Sequence, residues 1–245
     1  IASGERKRGM NAFGGEDRFW LGPEGGQFSI FFKKGDPFDL DHWQTPEPID
    51  WGAWDLVARS ERSATFRRKM SLVNYSGTRF DLVAERTVRL LDAKAVEKLL
   101  GITPGPGVRF VAYESDNRIT NTGKKPWRKQ TGLLSIWILC MYKPTPHTVV
   151  VIPYNEGPES KLGPIVNDKY FGKVPADRLK VEKGVIFFKC DGRYRSKIGL
   201  GPKRAKSVLG SYDAANGVLT IAQYNKPCLL YTSPSPRDLS TARMP

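Results

Sequence analysis

Alternation of apolar and polar residues predicts β-strands along most of the chain. Residues 78–91 show it most clearly: Phe80 and Leu82 would lie on one face of a strand, and Arg79 and Asp81 on the other. Successive side chains of a strand point to opposite faces, so a spacing of two is typical of a half-buried strand. Further strands are predicted at residues 27–32, 54–60, 64–75, 108–121, 133–141 and 148–153.

Two hairpins are predicted in the later part of the chain. Residues 179–182 would pair with residues 185–189 across a Lys-Gly pair, and residues 205–213 with residues 218–224 across a turn that ends in Asn-Gly. Gly and Asn adopt the positive φ angles that tight hairpin turns require. Each hairpin therefore adds two antiparallel neighbours to a sheet.

A single short helix is expected near residues 93–100. Asp92 is a favourable N-cap, Val96 and Leu99 are spaced as on one helix face, and Gly101 would end the helix. Many strands joined by close turns, with only one helix, predict an all-β fold. We expect a large antiparallel β-sandwich in which residues 133–141, apolar on both faces, form a central strand.

Composition agrees with a folded domain and disfavours several function classes. Hydrophobic residues make up 40% of the chain, which suits a buried core and argues against disorder. The formal net charge is +14, but the basic clusters are scattered and no nucleic-acid-binding motif accompanies them, so nucleic-acid binding is not expected. No run of about 20 apolar residues is present that would span a membrane.

Motifs for metal, nucleotide or nucleophilic chemistry are not found in the sequence. Cys140 and Cys190 lie in or beside apolar runs without metal-ligand spacing, so we expect buried thiols, no metal site and no cofactor. The chain has no nucleophile elbow, P-loop or dinucleotide fingerprint. These observations disfavour nucleophilic hydrolases, NTPases and dehydrogenases.

The last eighteen residues differ from the rest of the chain. Residues 228–238, with the sequence CLLYTSPSPRD, resemble one translated frame of a transposon-end adapter used in DNA library preparation. We therefore expect one native β-sandwich domain over residues 1–227 and a non-native tail at residues 228–245. Because Ile1 is not an initiator methionine, the domain is expected to be incomplete at both ends, with its C-terminal strands truncated.

Four segments carry a likeness to a bacterial protein family. They are GGEDRFWLGPEGG at residues 14–26, DHWQTP at 41–46, ESDNRITNTG at 114–123 and VNDKYFGKVP at 166–175. Together they resemble the uncharacterised DUF6786 family, and the resemblance covers residues 1–227. It implies no particular activity.

A wider likeness concerns the fold. The strand-turn-strand unit at residues 119–126 is similar to units of the galactose-mutarotase-like supersandwich. This resemblance implies a concave sheet face that binds sugars, with an arginine from an early strand at the sugar site. Epimerases, lyases and non-catalytic domains share that fold, so the fold does not by itself give the reaction.

Residues 14–26 contain the strongest candidates for ligand contact. Glu16, Arg18 and Trp20 lie close together between paired glycines. Sugar binding uses planar, bidentate hydrogen-bonding groups for neighbouring hydroxyls and an aromatic surface for the apolar side of the ring. We expect these three residues to bind carbohydrate. The alternative is a surface loop in which Arg18 pairs with neighbouring carboxylates.

His42 and Trp43 form a second candidate group. His42 is one of two histidines in the chain and is the candidate catalytic residue, acting as a general acid on a ring oxygen. Trp43 would add an aromatic surface to the sugar site. The alternative is a loop histidine that caps a turn.

Glu114 and Arg118 form a third group. With Asp116 they share one face of the strand predicted at residues 108–121, because strand side chains repeat every two residues. That face either lines a binding site or faces solvent. In the second case Glu114 and Arg118 would simply form a same-face pair.

Three functions are compatible with these observations. We favour a carbohydrate-binding domain with a sugar or glycan ligand, in an extracytoplasmic compartment. The second hypothesis is an aldose-1-epimerase-like enzyme that uses His42 as its acid. The third is a non-catalytic assembly module whose basic surface contacts an acidic partner.

Overall fold

The computed structural model describes residues 15–225, with side chains from residue 17 onward. The predicted tail at residues 228–245 lies outside this range. The described chain divides into two compact units, residues 15–141 and residues 142–225. The prediction of one domain over residues 1–227 stays a prediction.

Antiparallel strands account for most of the regular structure in both units. In the first unit they are β1 (Gly15–Gly22), β2 (Asp55–Arg59), β3 (Ser63–Val73), β4 (Arg79–Leu90), β5 (Tyr113–Asn121) and β6 (Ser135–Met141). In the second unit they are β7 (Thr148–Pro153), β8 (Leu179–Glu182), β9 (Val185–Lys189), β10 (Val208–Asp213) and β11 (Val218–Gln223). The predicted all-β class is therefore confirmed.

The first unit contains a four-stranded and a two-stranded sheet. The four-stranded sheet has the order β2-β3-β4-β5, and β1 pairs with β6. Residues from both sheets meet in one apolar cluster, so the packing is sandwich-like. The cluster includes Phe19, Trp20, Leu21, Phe31, Met70, Leu72, Phe80, Leu82 and Ala84.

The two faces of the four-stranded sheet differ sharply in character. Even-numbered residues of β3 and β4 face the core, as the buried Met70 and Leu82 show. Odd-numbered residues face away, and there Arg67 lies opposite Glu85. The alternation seen in the sequence thus predicted β4 and its buried face, because one side of this sheet is solvated.

Residues 27–32 do not form the predicted strand. Their backbone follows local turns, in which Ser29 N–H donates to the carbonyl of Gly26 and Ile30 N–H to that of Pro23. Phe31 and its two neighbours are nevertheless buried. The apolar content reflected burial in the core rather than strand pairing.

The strand β6 was correctly placed but is not central. Among the described residues it pairs only with β1. Its odd-numbered residues Trp137 and Leu139 pack against the core, whereas Ile138 is partly exposed and Cys140 is exposed. The prediction of a buried Cys140 is therefore wrong, because only one face of β6 is covered.

The predicted helix is α2, Ala93–Leu100, which lies between two one-turn helices in the chain order. The Asp92 carboxylate accepts a hydrogen bond from the Ala95 N–H at 2.9 Å, and Gly101 ends the helix in the left-handed region at φ 68°. The one-turn helices are α1 (Glu47–Asp50) and α3 (Glu159–Leu162). The expectation of a single helix is wrong, because a turn of four residues gives no periodic pattern.

The second unit is built on one sheet with the order β11-β10-β7-β9-β8. Both predicted hairpins, β8 with β9 and β10 with β11, are present, with positive φ at Gly184 and Gly217. Arg204 is buried beside this sheet and donates to the carbonyls of Asn155 and Gly163. The supersandwich resemblance itself stays a prediction.

Candidate functional site

An open pocket of about 630 Å³ lies in the first unit. Its walls come from β1, from α1 and the turn after it, and from the core-facing side of β3 and β4. The polar and aromatic residues that matter most are Arg18, Asp50, Trp51, Trp54, Arg68 and Arg86. Three guanidinium groups and two indoles thus line one cavity.

Arg18 and Asp50 form a buried ion pair at the pocket wall. The strand β1 carries Arg18, and Asp50 is the last residue of α1, whose turn follows Pro46. Arg18 Nη2 lies 3.0 Å from Asp50 Oδ1, and the two side chains are only 12% and 5% exposed. Arg18 Nη1 also contacts the sulfur of Met141. Such a pair places a donor and an acceptor group at a well-defined position.

A second ion pair joins β1 to β4. Arg86 Nη2 lies 2.5 Å from Asp17 Oδ2, and both side chains are largely buried. The other carboxylate oxygen of Asp17 has no hydrogen-bond partner among the described residues. Arg86 and Asp17 thereby tie the edge of β1 to the four-stranded sheet.

The third guanidinium is held by backbone rather than by a carboxylate. Arg68 Nη1 donates to the carbonyl oxygens of Trp51 at 2.6 Å and of Gly52 at 3.3 Å. Gly52 has φ 90°, and a Cβ there would lie 3.0 Å from Arg68 Nη2. Glycine is therefore required for both the turn and the close approach of Arg68.

The indoles of Trp51 and Trp54 supply the apolar part of the pocket. Both are half-buried. Trp54 packs edge-on against Phe19 with ring centroids 5.4 Å apart, which fixes its orientation. A ligand with an apolar face and several hydroxyl or acidic groups would match this combination of surfaces.

The predicted site residues of β1 are only partly brought to the pocket. Arg18 lines it, as expected. Trp20 is 1% exposed and packs against Trp43 and Trp137, so it supports the Arg18 guanidinium, 5.2 Å above its ring, and offers no surface to a ligand. Glu16 lies in β1, but its side chain is outside the described residues.

His42 and Trp43 lie away from the pocket lining. The Nδ1 of His42 is 2.6 Å from Asp39 Oδ1, and this hydrogen bond raises the pKa of His42 and lowers that of Asp39. The His42 backbone N–H donates to the same oxygen, as in a capped turn. Trp43 stacks on Phe31 at 5.2 Å. The epimerase hypothesis with His42 as acid stays a prediction.

Glu114 and Arg118 lie on the opposite face of the sheet from the pocket. Arg118 is opposite Glu85 in the strand register, whereas the pocket residue Arg86 is opposite Asn117. Glu114 pairs with Arg89 at 3.1 Å, and Arg118 pairs with Asp116 at 2.7 Å. The expectation of a shared face is met, but this face is an exposed ladder of charges that does not reach the pocket.

Several pocket residues were missed by sequence reasoning. Arg68 and Arg86 occupy the apolar positions of β3 and β4, in line with Met70 and Leu82. An arginine among the otherwise apolar residues of one strand face could have indicated that this face borders a polar site. Asp50 could not have been placed in this way, because its role depends on a four-residue helix.

The described residues hold no group of three or more His, Cys, Asp or Glu side chains that could bind a metal ion. None of the helices seen in residues 15–225 has the length and apolar character needed to cross a membrane.

Comparison with known proteins gives one match. A family model described as a family of unknown function, DUF6786, matches residues 1–234. No curated protein and no solved structure matches the chain significantly.

Proposed function

The chain belongs to the DUF6786 family, a family of unknown function, and we propose that its pocket binds carbohydrate. The main observation behind this proposal is that Trp51, Trp54 and the Arg18–Asp50 pair line the same open cavity. The pocket volume, about 630 Å³, also falls in the range of small-molecule sites.

The two kinds of surface correspond to the two sides of a sugar. A pyranose ring has an apolar face of C–H groups, which packs on indole rings, and an edge of hydroxyl groups. A guanidinium offers five N–H donors and a carboxylate accepts at both oxygens, so Arg18 and Asp50 together suit neighbouring hydroxyls. In this proposal Trp51 and Trp54 take the stacking role expected of Trp20 and Trp43.

Calorimetric titration with a panel of neutral and acidic oligosaccharides tests the proposal. The change is Trp54→Ala, which removes the ring that packs on Phe19 at the pocket. The matched control is Trp127→Ala, because Trp127 is also half-buried and packs edge-on against a phenylalanine, Phe80, but does not line the pocket.

We expect at least one class of oligosaccharide to bind, and Trp54→Ala to weaken that binding about tenfold, or about 1.4 kcal/mol. Trp127→Ala should leave the dissociation constant within about twofold of the native value. Equal losses in the two variants would assign the effect to general destabilisation. That result, or a panel in which nothing binds, would reject the proposal.

A further inference from the structure

The three arginines of the pocket differ in how their charge is balanced. Arg18 is paired with Asp50 and Arg86 with Asp17. The hydrogen bonds of Arg68 within the described chain go to two backbone carbonyls, which carry no net charge. Arg68 therefore brings an excess positive charge to the pocket lining.

The guanidinium of Arg68 is also oriented in advance. Both of its backbone hydrogen bonds use Nη1, and they hold the guanidinium plane against the turn at Trp51 and Gly52. The Nε and Nη2 donors make no hydrogen bond to a described residue. Gly52 lies beside the guanidinium, and a Cβ there would be 3.0 Å from Nη2. The Nε–Nη2 edge has two parallel N–H groups, the geometry that binds a carboxylate bidentately.

We infer that the pocket selects acidic saccharides and that the Nε–Nη2 edge of Arg68 binds a uronate carboxylate. This inference rests on the proposed carbohydrate function and specifies its ligand class. The sugar ring lies against the indoles of Trp51 and Trp54, which belong to the turn that Arg68 contacts. The carboxylate balances the charge of Arg68, which neither Asp50 nor Asp17 compensates, because these pair with Arg18 and Arg86.

The test compares two ligands that differ only at their carboxyl groups: the linear tetramer of galacturonic acid, which is ionised at neutral pH, and its fully methyl-esterified form, which is uncharged. Arg68→Gln removes the charge and the bidentate edge. Arg67→Gln is the matched control, because Arg67 is the next residue of β3, faces the other side of the sheet and pairs with Glu85. Thermal melting of each variant checks that it is folded.

We expect the native protein and Arg67→Gln to bind the acid form at least tenfold more tightly than the ester. Arg68→Gln should bind the two forms within about twofold of each other, while its affinity for the ester stays near the native value. If Arg68→Gln does not fold, Arg68→Lys serves instead, because lysine keeps the positive charge but lacks the two parallel N–H groups, and it should reduce the preference for the acid form.

The outcomes separate the inference from the proposed function. Equal binding of acid and ester by the native protein, or a preference that survives Arg68→Gln, overturns the inference and leaves carbohydrate binding intact. A preference for a sulfated oligosaccharide over the uronate also overturns it, since that would indicate a tetrahedral anion. If no oligosaccharide of either form or of the wider panel binds, both proposals fail.

Discussion

Replacing Asp50 by asparagine would remove the negative charge that lies 3.0 Å from the Arg18 guanidinium. The pair is largely buried, so its loss belongs with buried ion pairs, where removing one partner costs about 3–5 kcal/mol, rather than with surface pairs at about 0–1 kcal/mol. Asparagine keeps the shape and one acceptor oxygen, which retains part of a hydrogen bond worth about 1.5–3 kcal/mol. We therefore expect the free energy of unfolding to fall by about 2–3 kcal/mol.

Urea denaturation followed by tryptophan fluorescence is a suitable assay. All six tryptophans lie between residues 20 and 137, so this signal reports on the first unit, where the pair is located. With a urea m-value of about 1–3 kcal/mol/M, the predicted loss lowers the unfolding midpoint by about 0.7–3 M.

Asp116→Asn is the matched control for this experiment. Asp116 pairs with Arg118 at 2.7 Å in the same unit, but the Arg118 side chain is 70% exposed. We expect this variant to change the free energy of unfolding by no more than about 0.5 kcal/mol. Equal effects of the two substitutions, large or small, would refute the argument that burial decides the strength of these pairs.

Two further predictions concern the second unit and the thiols. The Arg178 guanidinium lowers the pKa of Asp191, so stabilisation by that pair is complete above the pKa of an unfolded aspartate, about 4, and is lost as the pH falls below it. Asp191→Asn should therefore flatten the fall in stability between about pH 5 and 3, measured by circular dichroism. An unchanged fall in stability over this pH range would contradict the prediction. In a Cys228→Ser background, a thiol reagent should modify the exposed Cys140 rapidly and Cys190 only on unfolding, because burial raises the pKa of Cys190 to about 11. Rapid labelling that persists after Cys140→Ser would contradict the second prediction.

The sequence predicted strands best where a strand has one buried and one solvated face. The strand β4 meets this condition, and its bounds are within a residue of those expected from alternation. The strand β1 was missed as regular structure, because Phe19, Trp20 and Leu21 are all buried and show no alternation. The prediction of a strand at residues 27–32 failed for a related reason: a buried turn and a strand can have the same apolar composition.

The candidate site was predictable only in part. The position of Arg18 beside aromatic residues predicted it as a site residue. Whether Arg18 or Trp20 reaches the cavity depends on tertiary packing, which the local sequence does not show. Arg67 and Arg68 are adjacent and chemically identical, and only the strand register separates a solvent-facing residue from a pocket residue. Glu114 and Arg118 were placed on the correct strand, yet a single strand does not reveal which of its faces borders a cavity.

The strict division of the four-stranded sheet has a practical consequence for anyone who modifies this protein. Odd-numbered positions of β3 and β4, such as Arg67 and Glu85, point away from the cavity, with a layer of backbone between them and any bound molecule. A fluorophore or a tether to a solid support can be attached there, or the net charge changed, while the lining of the pocket keeps its native composition.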